Sequence, residues 1–197
     1  MRKIPKQKRS REMVESLIEA TARCIVEDGL DALSTNRVAE RAGVSVGSLY
    51  QYFPDKEALV SALLDRCVHD VQRLTVREAP VLQRLDLETL VRTLLHTVFA
   101  FLHTRDGLYL ELIRNWNRLP FGNAFDRIEQ QLLELSRRYF VHHHRAYPID
   151  DLDTRMFLVI NGTLFTLVRY VSLEHPLATP DEVIEGLVTM ITGYLRG

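Results

Sequence analysis

Residues 34–59 contain the most constraining feature of the sequence, two short apolar patterns that are separated by a glycine and each preceded by a serine. Ser34 and Ser45 stand where helix N-caps are expected, because a serine hydroxyl accepts a hydrogen bond from a backbone N–H one turn later. Gly43 lies between the patterns and suits the left-handed conformation that ends a helix. The stretch therefore predicts a helix-turn-helix, whose second helix can lie in the major groove of DNA.

The second helix of this pair, predicted over residues 45–53, has one apolar and one polar face. Leu49 and Phe53 lie four residues apart and point the same way. Pro54 and Asp55 end the helix and start the next one. The residues expected on the outer face and its flanks are Val46, Gly47, Ser48, Tyr50, Gln51 and Tyr52. One face can then pack on a domain core while the other reads base edges.

The chemistry of the outer residues separates base contacts from phosphate contacts. The amide of Gln51 can pair with adenine, and Val46 can touch a thymine methyl group. Gly47 has no side chain and lets the backbone approach a base. The side chains suited to phosphates, which fix register rather than sequence, are Thr35, Ser48, Tyr52 and Lys56. An alternative for Tyr50 and Tyr52 is that they only pack against the neighbouring helix.

The same stretch resembles the DNA-binding segment of the TetR family of bacterial transcriptional repressors. The residues that carry the resemblance are Ser34, Thr35, Val38, Ala39, Ala42, Gly43, Val44, Ser45, Gly47, Ser48, Leu49, Tyr50, Tyr52, Phe53, Lys56, Glu57, Ala58 and Leu59. The resemblance covers about the first third of the chain. It implies backbone contacts at Thr35, Ser48, Tyr52 and Lys56, base contacts at Val46, Gly47 and Tyr50, and an all-helical ligand-binding and dimerisation domain behind them.

The sequence departs from the family pattern at Asn36, where an arginine is common, and Arg37 follows it. Which of the two reaches the groove stays open. The complete set of candidate DNA-contacting residues is Thr35, Asn36, Arg37, Ser45, Val46, Gly47, Ser48, Tyr50, Gln51, Tyr52 and Lys56.

The charge of the chain is concentrated at its start. The first eleven residues carry six basic side chains and no acidic one, so they contribute +6 against −7 from the remainder, within a net charge of −1. A basic arm before a helical domain indicates phosphate contact. The alternative is a solvated tail.

Composition and motifs indicate a protein that is not an enzyme. There is no glycine-rich phosphate loop, Gly-x-Ser-x-Gly elbow or His-Glu-x-x-His pair, so no catalytic residue and no cofactor are expected. Cys24 and Cys67 lie in apolar helical patterns and are interpreted as small hydrophobes in a reduced compartment. No metal site is expected at residues 142–144, because consecutive histidines on a helix point in different directions. Without a signal sequence or membrane-spanning run, a cytoplasmic protein that does not bind membranes is expected.

The rest of the chain predicts an all-α fold with two domains. The N-terminal helix-turn-helix domain is placed at residues 1–56, with a linker helix over 56–79, and the C-terminal ligand-binding and dimerisation domain at 80–197. The further helices are expected at about 10–28, 56–76, 87–103, 108–116, 125–145, 152–174 and 180–194. Asp150 or Asp151 is expected to cap the second-last helix, and Pro180 suits the first turn of the last.

Glycines inside the last two helices indicate close helix packing. A glycine inside a helix costs about 1 kcal/mol relative to alanine, which a close approach can offset. The family resemblance implies that these helices pair with those of a second copy in a four-helix bundle. The candidate dimer residues are Gly162, Val183, Gly186, Leu187, Met190, Gly193 and Tyr194. Packing within one chain is the alternative.

The C-terminal region is rich in aromatic residues and would suit an apolar or aromatic ligand. The candidate ligand-binding residues are Phe99, Tyr109, Trp116, Phe125, Asn161 and Phe165. Most aromatic residues of such a region belong to its core. Trp116 is the preferred candidate, since it is large and precedes a Pro-Phe-Gly break.

The sequence as a whole favours a homodimeric one-component repressor that binds a palindromic double-stranded operator and is released by a small-molecule effector. Two alternatives remain at this stage. One is an all-helical ligand-binding protein or small enzyme that has kept a helix-turn-helix, and the other is a protein-interaction adaptor.

Overall fold

The structure is a computed structural model and describes residues 8–143, 146, 147 and 149–196. These residues form helices and connecting turns with no strand, which confirms the all-α prediction. The helices are α1 (Lys8–Asp28), α2 (Thr35–Arg41), α3 (Val46–Tyr50), α4 (Lys56–Leu82), α5 (Leu87–Leu102), α6 (Leu108–Arg114), α7 (Gly122–His142), α8 (Leu152–Val171) and α9 (Pro180–Arg196). Short 3₁₀ turns lie at Leu30–Ala32, Arg105–Gly107 and Trp116–Arg118. Among the described helices, none is long and apolar enough to cross a membrane.

The described chain divides into two compact units. The first contains the residues up to His69 together with Thr104–Phe121, and the second contains Asp70–His103 and the residues from Gly122 onwards. The segment with α6, which the sequence analysis placed in the C-terminal domain, therefore belongs to the first unit. Leu108 and Leu112 explain this, because they are 1% and 2% exposed within the first core.

The core of the first unit forms around α1. Leu17, Cys24 and Ile25 lie on its inner face and are almost fully buried. They pack with residues of α2, α3, the start of α4 and α6. Burial raises the pKa of the Cys24 thiol, which stays neutral and acts as the small hydrophobe that its sequence pattern predicts.

The core of the second unit is built from α5, α7, α8 and α9. Its best-buried side chains include Leu87 and Ile184, each 1% exposed. On α5, every third or fourth residue from Leu87 to Leu102 is buried, so the apolar stripe has the period of an α-helix. This unit holds α8 and α9, the helices for which dimer contacts are predicted.

Several element boundaries differ from the sequence predictions. Helix α4 continues through Pro80 to Leu82 instead of ending near residue 76, since the burial of Leu82 anchors one more turn after the proline. Asp151 precedes α8 with φ 55° and makes no side-chain cap hydrogen bond, so its predicted capping role is wrong. Helix α8 ends at Val171, three residues earlier than predicted. The predicted end of α7 near Arg145, before Pro148, lies outside the described residues.

Candidate nucleic-acid interface

Helix α3 presents the candidate DNA-contacting surface. It is capped at its N-terminus and packs on the core of the first unit. The Ser45 hydroxyl accepts from the Ser48 backbone N–H at 3.1 Å, which confirms the predicted N-cap. Leu49 and Phe53 have no exposed surface and hold the helix on the core. The helix is shorter than predicted and ends at Tyr50, followed by a turn in which the Phe53 N–H still donates to the Leu49 carbonyl at 3.0 Å.

The outward side of α3 presents mainly polar groups and bare backbone. Gly47 and Gln51 are exposed, and a Cβ added to Gly47 would meet only the Ser45 hydroxyl, at 3.9 Å. Tyr50 is 42% exposed. Val46 is half-buried, since part of its side chain packs on the core of the first unit. The outer side of this short helix therefore has few protruding side chains and is partly polar, and it is available for contact with DNA.

Helix α2 lies beside α3 and is joined to it at the surface. Ser34 caps α2 by accepting from the Arg37 N–H at 3.3 Å, as predicted. Gly43 has φ 68° and supplies the left-handed residue of the turn between the helices. The hydroxyls of Thr35 and Tyr50 are hydrogen-bonded at 3.2 Å. This bond orients the Tyr50 ring and places two hydroxyl groups together at the candidate interface.

The structure distinguishes the two residues that the sequence left open at the start of α2. Arg37 forms an ion pair with Asp28 at 3.3 Å, which draws its guanidinium toward α1. The side chain of Asn36 is exposed and makes no hydrogen bond within the described residues. Asn36 therefore has the amide that is available for a contact, whereas Arg37 must leave an acidic partner to make one.

Tyr52 and Lys56 lie on the other flank of the candidate surface. The ring of Tyr52 is partly buried against the first core, so the packing alternative considered from the sequence accounts for part of this side chain. Lys56 is exposed in the first turn of α4, which the carboxylate of Asp55 caps by accepting from the Ala58 N–H at 2.7 Å. A cation at a helix N-terminus opposes the helix dipole, and a phosphate bound there would remove this penalty.

Ion pairs that the sequence analysis missed stabilise the supporting helices. Arg41 on α2 contacts Glu27 at 2.6 Å and Asp28 at 3.3 Å, both at the end of α1. Arg118, after α6, is paired with Asp31, and it lowers the pKa of that carboxyl group. These partners are far apart in sequence, so the sequence shows their charges but does not show that they pair. They hold the turn before α2 from two sides.

The basic arm is described only in part. Lys8, Arg9 and Arg11 are exposed in the first turns of α1, while Arg2, Lys3 and Lys6 lie outside the described residues. The described portion adds positive charge to the first unit, consistent with an approach to phosphates.

The predicted dimer residues fall on two sides of α9. Gly186, Met190, Gly193 and Tyr194 are exposed, whereas Leu187 is only 5% exposed and packs in the core of its own chain. Val183 is partly buried against the same core. On α8, Gly162 is exposed, together with Leu158 and Phe165.

The predicted ligand residues are not brought together in one unit. Tyr109 and Trp116 belong to the first unit, where Tyr109 is buried and Trp116 is 37% exposed. Phe99 is buried in the second unit with its ring against Tyr170, and Phe125 is half-buried there. Phe165 is 62% exposed and lies on the outer side of α8. Asn161 donates a hydrogen bond to Glu129 at 2.6 Å.

The described residues contain no group of three or more histidine, cysteine, aspartate or glutamate side chains that could hold a metal ion. His143 stacks on Tyr139 and lies 2.9 Å from the Gln83 carbonyl oxygen. His144 lies outside the described residues.

Comparison with known proteins agrees with this geometry. Residues 17–63 match the model of the bacterial regulatory proteins of the tetR family. The nucleoid occlusion factor SlmA of Vibrio campbellii (strain ATCC BAA-1116) is 26% identical over 184 residues, which cover 85% of this chain and 90% of that protein.

Solved structures share the whole fold. A TetR-family transcriptional regulator from Streptomyces coelicolor is 24% identical with a TM-score of 0.63, and the match covers 93% of this chain and 99% of that one. RolR, solved in complex with the ligand resorcinol, is 22% identical with a TM-score of 0.61, covering 93% of this chain and 89% of that one.

The fold and the capped helix pair define a helix-turn-helix DNA-binding regulator. Residues 17–63 match the DNA-binding segment of the tetR family, and the chain shares its all-helical fold with TetR-family regulators.

Proposed function

We propose that this protein is a homodimeric one-component repressor that binds a palindromic operator and is released by a small, apolar or aromatic molecule. The observation that carries the proposal is the capped α3 helix, whose inner face is fully buried while Gly47 and Gln51 stay exposed. A helix of this kind can enter the major groove without disturbing the core that orients it.

In this proposal, some residues of α2 and α3 contact bases and others contact phosphates. Gln51 reads an adenine and Val46 contacts a thymine methyl group, while Gly47 lets the backbone come close. The residues assigned to phosphates are Thr35, Ser45, Ser48, Tyr52 and Lys56. Tyr50 approaches a base from the edge of α3, and Asn36 contacts the DNA in preference to Arg37, which pairs with Asp28.

A second copy explains the surface of α8 and α9. A Cβ added at Gly162, Gly186 or Gly193 would meet nothing within 4 Å in this chain. Packing within one chain therefore gives no reason for these glycines. Phe165 and Met190 expose 62% and 52% of their surface near them, and pairing of the two helices with their copies would cover this apolar area.

Release by a ligand requires that the ligand bind the DNA-free conformation more tightly than the DNA-bound one. The second unit has the apolar helical core expected of a ligand-binding domain, and RolR, which shares the fold, was solved with a dihydroxybenzene. The effector of this protein is accordingly proposed to be a small molecule with a largely apolar body.

Selection of the purified full-length protein against random duplex DNA tests the proposal. We expect a two-fold symmetric consensus, because a symmetric dimer presents the same helix to two half-sites. A salt titration on the selected site should then show a steep loss of affinity, as counterions are displaced from phosphates. The absence of any enriched sequence at low salt would contradict the DNA-binding proposal.

Two variants on the selected site separate base reading from phosphate contact. Gln51→Ala should cost about 1–3 kcal/mol at one base pair and leave the others unchanged. Lys56→Ala should weaken binding to all sequences alike and reduce the salt slope by about 0.9 per subunit. Fluorescence anisotropy against a panel of single-base variants measures both. A loss confined to one base pair in Lys56→Ala would refute its assignment.

A second candidate function follows from the match to the nucleoid occlusion factor SlmA, which extends over 85% of this chain. A protein with that role is expected to occupy many sites distributed over the chromosome, whereas an operator-specific repressor occupies one or a few. Mapping of chromosomal occupancy in the source bacterium, with the Gln51→Ala variant as the control, distinguishes the two.

A further inference from the structure

The neighbouring ends of α1 and α2 carry charges of the sign that a helix disfavours there. Helix α1 ends with Glu27 and Asp28 and has no basic residue in its last turn, while α2 has Arg37 and no acidic residue in its first turn. Helices are stabilised by basic groups near the C-terminus and by acidic groups near the N-terminus. The opposite placement would allow the same ion pair with favourable dipole interactions, so the position of the positive charge on α2 needs another reason.

Two arginines of α2 share one carboxylate oxygen of Asp28. The guanidinium groups of Arg37 and Arg41 each lie 3.3 Å from its Oδ2 atom. Arg41 also contacts Glu27 at 2.6 Å, and its contact with Asp28 has hydrogen-bond geometry. Arg37 has Asp28 as its ion partner within the described residues, without that geometry. Arg41 is therefore held twice, and the loss of Asp28 would set free only Arg37.

The pair between Arg37 and Asp28 is weak enough to be exchanged for another one. The two side chains are 50% and 27% exposed, and ion pairs at such positions contribute little to stability. Their separation of 3.3 Å also exceeds the range of about 2.7–2.9 Å that is typical of strong charge-assisted hydrogen bonds. An anion that approaches from solution can therefore compete with Asp28 for this guanidinium group.

Arg37 belongs to the end of α2 that lies beside the candidate DNA surface. In the same turn, the Thr35 hydroxyl is bonded to the Tyr50 hydroxyl of α3 at 3.2 Å. Arg37 is exposed on the side of this turn that faces away from the buried Val38 and Ala39. Helical side chains lean toward the N-terminus of their helix, which is the end that carries the candidate phosphate contacts. Arginine suits a phosphate group well, because its planar fork of donors matches the phosphate oxygens.

We propose that Asp28 competes with DNA phosphates for Arg37 and thereby lowers the sequence-independent affinity of the first unit for DNA. In the native protein, a phosphate gains Arg37 only by leaving Asp28 without its partner. Asp28 acts as a positioning residue, which draws the guanidinium toward α1. The proposal rests on the DNA contacts proposed above and adds the residue that limits one of them, but it requires neither the operator nor the effector.

Such a restraint has a clear use in a regulator. Binding to sequences other than the target depends almost entirely on phosphate contacts, and the chromosome offers a vast excess of such sequences. Weakening one phosphate-binding cation in each protomer lowers this background without touching the groups assigned to bases, such as Gln51. A larger share of the binding free energy then comes from base contacts.

Fluorescence anisotropy of the full-length protein on a labelled duplex of random sequence tests the restraint. The matched control is Glu27→Gln, which removes the same charge one residue away but leaves the pair between Arg37 and Asp28 in place. We expect Asp28→Asn to bind about two- to fivefold more tightly per protomer than this control, the range set by the strength of an exposed ion pair. The slope of log affinity against log salt should become steeper by about 0.9 per protomer.

Two further variants show whether the gain passes through Arg37. In an Arg37→Gln background, Asp28→Asn should give no more than the control does. Asp28→Glu keeps the charge and should retain the native salt slope, which a merely structural role of Asp28 would not predict. Asp28→Ser also removes the charge and replaces Asp28→Asn if that variant does not melt like the native protein. A gain that persists in Arg37→Gln, or an unchanged slope in the uncharged variants, would overturn the proposal.

The same titrations separate this proposal from the proposed function. No binding of the native protein to any duplex at low salt would contradict DNA binding and this proposal together. Binding with the same affinity and slope in the native protein and in Asp28→Asn would overturn the restraint alone and leave the DNA-binding function standing. A steeper slope in Asp28→Asn that requires Arg37 would support both.

Discussion

The two units of the chain bury their apolar side chains to different degrees. In the first unit, Leu17, Phe53 and Leu63 have no exposed surface, and the exposed residues on the outer side of α3 are mostly small or polar. In the second unit, large apolar side chains such as Phe165 and Met190 remain exposed. The first unit closes its core by itself. The second has the pattern expected of a unit that is completed by binding, with apolar surface available for a partner.

The largest difference between the two units is expected in the loss of unfolding free energy when a phenylalanine is replaced by alanine. Phe53→Ala should lower the free energy of unfolding by about 3–5 kcal/mol, because it leaves a cavity in a closed core. Phe165→Ala, at an exposed position, should change the unfolding free energy of the monomer by less than about 0.5 kcal/mol. Denaturant unfolding at low protein concentration measures both. Equal losses would show that the units do not differ in this way.

A bulky residue on the outer face of α9 should have the next largest effect. Gly193→Leu is expected to yield monomers, since overpacking costs about 1–3 kcal/mol at each of two symmetric positions. Sedimentation velocity over a range of concentrations measures the change. Gly193→Ala, which improves helix propensity without the bulk, should weaken association far less. An intact Gly193→Leu dimer would place the interface elsewhere.

The smallest effect concerns the N-caps of the two units. Asp86 caps α5 by accepting from Glu88 and Thr89, whereas Ser34 and Ser45 cap α2 and α3 with neutral hydroxyls. Asp86→Ala should cost about 1 kcal/mol, as is typical for loss of a cap, and Asp86→Asn should retain most of the stability.

The Asp86 cap should also depend on pH. The Thr89 hydroxyl and backbone N–H lower the pKa of Asp86, so the folded state holds its proton less tightly than the unfolded state, in which a carboxyl group has a pKa of about 3.9. The contribution is complete above that value and is lost as the pH falls through the lower folded pKa. Thermal melts from pH 6 to 2 should show a smaller pH dependence in Asp86→Asn. Identical profiles would contradict the carboxylate cap.

Much of the first unit could be predicted from the sequence because its signals are local. Ser34 and Ser45 cap helices through N–H groups three residues away, and Leu49 and Phe53 share a face through the helical period. The segment that carries α6 was assigned differently, because its burial depends on contacts with α1 across more than 80 residues. No local pattern indicates such a contact.

The sequence by itself determined the helical character of the chain, the serine caps of α2 and α3 and the polar character of the α3 surface, since each depends on residues within one or two turns. Only the tertiary structure decided that Arg37 pairs with Asp28, that Leu187 faces inward while Gly193 faces outward, and that Gln131 meets Thr75. Gln131 and Thr75 are 56 residues apart. The partner of a polar side chain on a helix is known only when the neighbouring helix is in place.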